Sequence, residues 1–198
     1  ITPDHMDRYH SLRDYAAAKA RIFENQDRED FLVINADDEM TKQVVSERLS
    51  AGKTGPRIFS FSRREKVEGI YLNDGRVYCT IETKKKIPSP LIDAARIRIK
   101  GVHNLENAMA SSAMALLAGC QPGAVIKSLI EFPGLEHRLE FVRELDGVRY
   151  FNDSKGTNVG AVIKSLESFE EPLILIAGGR DKEGDFSALK QLVSEKVK

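Results

Sequence analysis

The chain has 198 residues, of which 41% are hydrophobic and 30% are charged, a balance that is typical of a soluble globular protein and excludes a disordered segment. Its formal net charge is zero, so composition favours neither nucleic acid nor an anionic membrane as a partner. No apolar run reaches the roughly 18 residues that a membrane span needs. The two cysteines lack the spacing of metal ligands, which predicts a reduced, cytoplasmic setting.

Helical and strand-like patterns alternate along the first two thirds of the chain, which indicates an α/β fold. An apolar run that ends in polar residues, at 31–38, predicts a buried parallel strand whose carboxyl end faces a crevice. A turn sequence at 73–75 (Asn-Asp-Gly), flanked by alternating apolar residues, predicts an antiparallel hairpin over 69–83. The other predicted elements are helices over 11–24, 40–50, 103–117 and 122–132 and strands over 57–62 and 95–99, the last of them at a sheet edge.

Lys19 is predicted on the apolar face of the first helix. Tyr15 and Phe23 fall on the same face at helical spacing. A lysine among apolar neighbours either carries its charge to the edge of the packed face or has a special chemical role, because burial disfavours its charged form. Spacing alone leaves both interpretations open.

The segment at 51–55 (Ala-Gly-Lys-Thr-Gly) is similar to part of a phosphate-binding loop. It lacks the earlier glycine of that loop, and it follows a predicted helix, whereas the loop should follow a strand and open a helix. We therefore predict a helix stop and a polar turn at this segment.

A proline and a glycine at 133 and 134 interrupt the pattern, and we place a domain boundary between 1–133 and 134–198. The second domain has a β-α-β-α pattern, which predicts the start of a doubly wound, Rossmann-like sheet. Its predicted elements are strands over 147–151 and 173–177 and helices over 159–168 and 186–197.

Polar clusters at 152–158 and 178–182 follow the two strands predicted in the second domain, where open parallel sheets bind their ligands. Lys155 and Lys182 suit an anion, and Asp153 suits a hydroxylated ligand or orients Lys155. Thr157 precedes a helix and can donate to a carboxylate. The alternative is a capped helix start with a solvated salt bridge.

Three further side chains suit a nucleotide. Asn104 and Asn107 lie near the start of the helix over 103–117, where backbone N–H groups are unpaired. A helix-cap role is an alternative for Asn104 but does not cover Asn107. Arg138, at the domain boundary, suits bidentate binding of a phosphate, and an inter-domain salt bridge is the alternative.

Five motifs occur in one order along the chain. They are Asp-His-Met-Asp-Arg-Tyr at 4–9, Ala-Lys-Ala-Arg-Ile-Phe at 18–23, Gly-Val-His-Asn-Leu-Glu-Asn-Ala at 101–108, Gly-Leu-Glu-His-Arg at 134–138 and Asn-Asp-Ser-Lys-Gly-Thr-Asn at 152–158. This series resembles the Mur ligases of peptidoglycan synthesis, and the resemblance covers nearly the whole chain. The last motif is similar to that of the members that add D-glutamate.

The resemblance implies the C-terminal portion of a central ATP-binding domain over 1–133 and the N-terminal portion of a Rossmann-like C-terminal domain over 134–198. The implied activity is ATP-dependent amide-bond formation through an acyl phosphate, with Mg²⁺, in a monomeric cytoplasmic enzyme. Its small-molecule substrates would be UDP-N-acetylmuramoyl-L-alanine, D-glutamate and ATP. Another Mur ligase, a folylpolyglutamate synthase-like ligase and a non-catalytic nucleotide-binding module are the alternatives.

Site residues follow from the same resemblance, motif by motif. His5 matches a position near Mg²⁺ and the acyl phosphate, and Lys19 matches a lysine whose carbamate supports a second Mg²⁺. The remaining matches are Asn104 and Asn107 for adenine, Arg138 for phosphate, Asp153 for ribose, and Ser154, Lys155, Thr157 and Lys182 for the phosphates and the incoming D-glutamate.

The sequence also departs from the family pattern. The Gly-x-x-Gly-Lys-Ser/Thr phosphate loop and the uridine-binding domain, which precede the motif at 4–9 in the family, are not in these 198 residues. The last D-glutamate contacts of the family would follow residue 198. We therefore expect a piece of a longer enzyme, inactive on its own.

Overall fold

The computed structural model describes residues 1–3, 8–50, 55–179 and 185–198. By their contacts the residues form two units. The first consists of Ile1–Arg98 and Asn104–Glu131, and the second of Ile99–His103 and Phe132–Lys198.

A mixed five-stranded sheet organises the first unit. In chain order the strands are β1 (Phe31–Asn35), β2 (Arg57–Ser62), β3 (Gly69–Asn73), β4 (Arg76–Cys79) and β5 (Ile92–Asp93), and they lie side by side in that order. The first two pairings are parallel and the last two are antiparallel. The predicted mixed α/β class is confirmed for this unit.

Helix α1 (Leu12–Ala20) begins at Ser11, whose side chain accepts a hydrogen bond from the backbone N–H of Asp14. Its last turn tightens into a 3-10 turn over Arg21–Phe23, so the helix is shorter than the predicted 11–24. The tighter turn leaves Ile22 82% exposed. The remaining apolar face packs on α2 (Glu39–Leu49). The packed residues are Ala16, Ala20, Phe23, Val44 and Val45.

The strand predicted over 31–38 ends at Asn35, because the Asn35 side chain accepts a hydrogen bond from the N–H of Asp37 and turns the chain. Asp38 then caps α2 by accepting from the N–H of Thr41. The result is a short parallel strand followed by a loop of three polar or small residues.

The predicted hairpin over 69–83 is confirmed by the antiparallel pairing of β3 with β4. Its two turn residues, Asp74 and Gly75, have φ values of +46° and +71°, which suit a tight hairpin. The strand predicted over 95–99 is wrong. The chain there forms a 3-10 turn over Ala94–Arg96, because the Asp93 side chain accepts from the N–H of Ala95 and ends the extended run.

Two helices follow, α3 (Val102–Leu117) and α4 (Pro122–Glu131), each within one residue of its predicted bounds. The buried residues of α3 are Ala108, Met109, Ser112, Ala113 and Leu116.

In the second unit an antiparallel hairpin replaces the predicted parallel order. Strand β6 (Glu140–Leu145) pairs with β7 (Val148–Asn152) through a turn at 146–147, where both φ values are positive. Helix α5 (Val159–Glu167) then begins at Asn158, and α6 (Lys190–Lys196) follows a 3-10 turn over Phe186–Leu189.

The parallel strand predicted over 173–177 is wrong. Within 173–177, Leu173 alone forms a β-bridge to a described residue, Val197, so no ladder of strand pairs forms there. Ile174 and Ile176 are 79% and 95% exposed as a result. The two polar clusters therefore do not follow neighbouring parallel strands in the described structure.

None of the described helices is both long enough and apolar enough to cross a membrane.

Candidate functional site

Polar residues at the carboxyl ends of β1 and β2 form a hydrogen-bonded network around Asp37. One carboxylate oxygen of Asp37 accepts from the Ser62 hydroxyl at 2.6 Å, and the other accepts from the Arg63 N–H at 2.8 Å. Ser62 is fully buried, and its oxygen also accepts from the N–H groups of Arg64 and Glu65. The network fixes the loop that leaves β2 at this edge of the sheet.

An ion pair extends this network to helix α3. Arg63 donates through Nε to Glu106 Oε1 at 2.7 Å, and their side chains are 27% and 26% exposed. Glu106 lies between Asn104 and Asn107, the two predicted adenine contacts. The pair therefore holds the start of α3 against the loop after β2. Sequence reasoning missed it, although the polar residues that follow both strands were a usable signal.

The two asparagines differ in exposure and place. Asn107 is exposed and Asn104 is half-buried and bonded. Because α3 begins at Val102, Asn104 is its third residue, so the helix-cap interpretation of Asn104 is wrong. Both side chains remain candidates for contact with a base, since neither occupies the N-cap position of the helix.

Lys19 lies on the same face of α1 as Tyr15, as predicted, and its side chain is exposed. Its Nζ lies over the Tyr15 ring, 5.1 Å from the ring centroid, an arrangement that suits a cation. Together with Ile1 and Thr2, these two residues line an open pocket of about 330 Å³. The edge position fits the interpretation in which the charge lies at the margin of the packed face, and it leaves the amine accessible.

In the second unit, Asp153 is half-buried, and its hydrogen bonds connect the loop after β7 to Leu139 and to helix α5. Its Oδ1 accepts from the N–H of Leu139 at 3.0 Å, and its Oδ2 accepts from the Ser165 hydroxyl of α5. Among the described residues no ion pair joins Asp153 to Lys155, so the orientation of Lys155 by Asp153 is not seen in this structure. Ser165 is a further residue that sequence reasoning missed, and its position in the last turn of α5 gave no distinctive signal.

The neighbouring polar side chains point to solvent. Ser154, Lys155 and Thr157 are exposed, as is Arg138. Among the described residues, Lys155 and Arg138 make no ion pair, so the predicted solvated salt bridge is not formed there. The capped helix start of the alternative interpretation is present, because Asn158 accepts from the N–H of Ala161 at 2.8 Å. The loop between β7 and α5 therefore holds both a helix cap, Asn158, and a cation without a described ion pair, Lys155.

Two predicted residues, His5 and Lys182, lie outside the described residues, as do residues 51–54 of the rejected phosphate loop. Within residues 1–3, 8–50, 55–179 and 185–198, no cluster of three or more His, Cys, Asp or Glu side chains is arranged to hold a metal ion. The described part of the chain thus supplies exposed cations and amides rather than a preformed metal centre.

Comparison with protein families gives a match over residues 1–115 to the Mur ligase middle domain. The chain belongs to the Mur ligase family. The match spans β1 to β5 and most of α3, which are the elements that carry the Asp37 network, the Arg63–Glu106 pair and the two asparagines.

Similar curated proteins extend across the whole chain. It is 46% identical over 199 residues to the UDP-N-acetylmuramoylalanine--D-glutamate ligase of Geotalea daltonii, and 48% identical over 200 residues to that of Trichlorobacter lovleyi. Each comparison covers 100% of this chain but 42% of the relative. The chain thus spans less than half the length of these relatives.

Solved structures of the family share the fold. MurF from Acinetobacter baumannii superposes with a TM-score of 0.66 at 17% identity, over 85% of this chain and 35% of that chain. Folylpolyglutamate synthetase from Lactobacillus casei superposes with a TM-score of 0.58 at 15% identity, over 96% of this chain and 46% of that chain. The mixed α/β architecture is therefore common to ligases with different names.

Proposed function

We propose that this chain is part of an ATP-dependent ligase that joins D-glutamate to UDP-N-acetylmuramoyl-L-alanine in peptidoglycan synthesis. The observation that carries the proposal is the identity of 46–48% across the whole chain to relatives with that name. On this proposal residues 1–133 belong to the central ATP-binding domain, and residues 134–198 begin the C-terminal domain.

The proposed reaction has two steps. The substrate carboxylate attacks the γ-phosphorus of ATP, which gives an acyl phosphate and ADP. The amine of D-glutamate then attacks the acyl carbon, phosphate leaves, and an amide bond forms. Both steps develop negative charge on phosphate oxygens, so they are favoured by fixed cations and hydrogen-bond donors.

Arg138 and Lys155 are the described cations that fit this role. Both are exposed, and neither is neutralised by a described carboxylate. A guanidinium binds two phosphate oxygens at once, whereas an ammonium acts as a compact charge. We assign Arg138 to the phosphates, and Lys155 with Ser154 and Thr157 to the phosphates and the incoming D-glutamate.

Asn104 and Asn107 are assigned to the adenine, because an amide both donates to and accepts from a base edge. Asp153 is assigned to the ribose, since each of its carboxylate oxygens has a protein partner and retains a further lone pair. The hydrogen bonds from Leu139 and Ser165 would then keep the Asp153 carboxylate in a fixed orientation towards the ribose. Lys182 completes the proposed phosphate and D-glutamate contacts.

Mg²⁺ would be held by His5 and by a carbamate on Lys19, and when bound it would neutralise phosphate charge. The accessible Lys19 amine in its open pocket leaves room for CO₂ to add and for the new carboxylate to reach a metal. Lys19→Ala in the full-length enzyme should lose most of its activity, and short carboxylates should partly restore it. Unchanged activity of Lys19→Ala would refute the carbamate role.

Phosphate release by the full-length enzyme tests the proposal as a whole. With ATP and UDP-N-acetylmuramoyl-L-alanine present, release should depend on D-glutamate and not on L-glutamate or a diamino acid. Dependence on another amino acid would indicate a different Mur ligase or a folylpolyglutamate synthase-like enzyme. No phosphate release with any amino acid would indicate a non-catalytic nucleotide-binding module. The 198-residue chain by itself should not hydrolyse ATP. Turnover by this chain would refute the proposal that it carries only part of the active site.

A further inference from the structure

Arg138 lies between two residues whose backbone is left-handed. His137 has φ +66° and Leu139 has φ +45°. Residues with a Cβ atom rarely adopt this conformation, because the Cβ approaches the backbone carbonyl. Two such residues around one arginine persist only if neighbouring contacts hold them.

Contacts of that kind surround His137. Its N–H donates to Glu140 Oε2 at 2.8 Å, and its carbonyl accepts from the N–H of Lys155 at 3.0 Å. Its ring Nδ1 lies 2.8 Å from Asn152 Nδ2. On the other side of Arg138, the N–H of Leu139 is held by Asp153. Both left-handed residues are thus tied to the loop that follows β7.

The Arg138 side chain, in contrast, is exposed and makes no ion pair with a described residue. Its direction is therefore set by the backbone on either side and not by a carboxylate partner. A guanidinium without a neutralising partner keeps its full charge for an anionic ligand.

We propose that His137, Glu140 and Asn152 are positioning residues that hold the backbone of 137–139 in its left-handed form, so that Arg138 is presented to the triphosphate before ATP binds. The inference rests on the proposed function, which assigns Arg138 to the phosphates of ATP. Preorganisation of this kind acts on binding, because a loop that must first adopt the competent form binds ATP more weakly by the fraction of time it spends there.

Asn152→Ala in the full-length ligase is the first test. Removing this partner frees the loop to relax, so the KM for ATP should rise about tenfold, the equivalent of one hydrogen bond, while kcat stays within about twofold. Glu140→Ala removes the second tie and should act in the same direction. Gln191→Ala, in an exposed pair on α6, is the control and should leave the KM for ATP unchanged.

Second-site rescue separates positioning from a general loss of structure. In the Asn152→Ala background the His137 ring keeps one neighbour, Glu140, whose Oε2 lies 3.7 Å from Nδ1. His137→Asn and His137→Val both remove that ring contact, so the difference between them tests the backbone. His137→Asn should lower the KM for ATP again, because asparagine tolerates the left-handed form, and His137→Val should raise it further, because a β-branched residue opposes that form. Neither substitution adds a contact to ATP.

The outcomes are distinguishable. If the unsubstituted ligase needs neither ATP nor D-glutamate, the proposed function fails and this inference fails with it. If the unsubstituted ligase is active and both Asn152→Ala and Glu140→Ala keep the original KM for ATP, the positioning role alone is overturned. Equal KM values for the His137→Asn and His137→Val double variants would also overturn it.

Discussion

The Arg63–Glu106 ion pair should contribute measurably to the stability of the first unit, and a double-mutant cycle can isolate its contribution. The pair combines a short contact of 2.7 Å with side chains that are only about one quarter exposed (27% and 26%). Two unit charges about 4 Å apart attract by ~4 kcal/mol at an effective dielectric constant of about 20. Dehydration of both groups offsets more than half of this, and hydrogen bonds to charged groups contribute about 1.5–3 kcal/mol.

We therefore expect a coupling free energy of about 1.5 kcal/mol between the two side chains. It is obtained from Arg63→Ala, Glu106→Ala and the double variant of the 198-residue chain. The Arg13–Glu47 pair is the matched control. Its contact is 3.0 Å, but the side chains are 69% and 43% exposed, so solvent screens the charges and its coupling should be too small to resolve.

Thiol labelling in urea can report on the first unit alone. Cys79 pairs with Ile70 at the end of the β3–β4 hairpin away from its turn and is half-buried, and Cys120→Ser removes the exposed second thiol. Protection of Cys79 then follows unfolding of the five-stranded sheet. A coupling of about 1.5 kcal/mol corresponds to a shift in urea midpoint of about 0.5–1 M.

The cycle can refute the reasoning in two ways. A coupling no larger than that of Arg13–Glu47 would mean that burial does not strengthen the contact between Arg63 and Glu106. A coupling that vanishes at about 0.5 M salt would mean that solvent screens it like a surface pair, since partly buried charges are screened much less. Either result would remove the ion pair as the link between the loop after β2 and the start of α3.

Two further predictions concern the same sheet. Gly69→Ala should destabilise the chain by about 3 kcal/mol or more, because φ is +138° and an added Cβ would lie 1.9 Å from the carbonyl oxygen of Ser60. Gly75→Ala, where φ is +71° and the space around the Cβ is open, should cost about 1 kcal/mol in the same urea titration. Alkylation should modify exposed Cys120 before Cys79, because burial raises the pKa of the Cys79 thiol. A raised pKa favours the protonated thiol in the folded chain, so stability should fall as pH rises above about 8.5, the ordinary thiol pKa, and Cys79→Ala should flatten that dependence in circular dichroism.

Local sequence signals predicted most elements of the first unit. The hairpin over 69–83 followed from its Asn-Asp-Gly turn, and the bounds of α2 to α4 followed from helical periodicity. The strand over 95–99 failed because alternation of apolar residues does not reveal that Asp93 caps the next turn. Pattern describes which faces are apolar, and a single side-chain hydrogen bond decides where a strand ends.

Errors in the second unit have a common cause. Asp146 and Gly147 form a hairpin signal that is as strong as the one at 74–75, yet the charged residues in 140–145 conceal the alternation that identifies β6. The apolar run over 173–177 predicted a strand, but a strand needs a neighbour, and the described residues supply one bridge. Strand pairing is a tertiary property that no local pattern contains.

The site residues predicted from the sequence differ from those found in the structure in what their side chains bind. Side chains predicted from the motifs, such as Arg138 and Lys155, are exposed and without described ionic partners, so their hydrogen-bonding capacity remains for a ligand. Residues found from the structure, such as Ser62 and Ser165, already use their hydrogen-bonding groups on carboxylates and backbone. Asp153 belongs to both groups, because a motif predicts it and two protein donors hold it. A residue that both orients a loop and binds a ligand has little freedom to vary in length or charge, and even Asp153→Asn or Asp153→Glu should therefore be poorly tolerated.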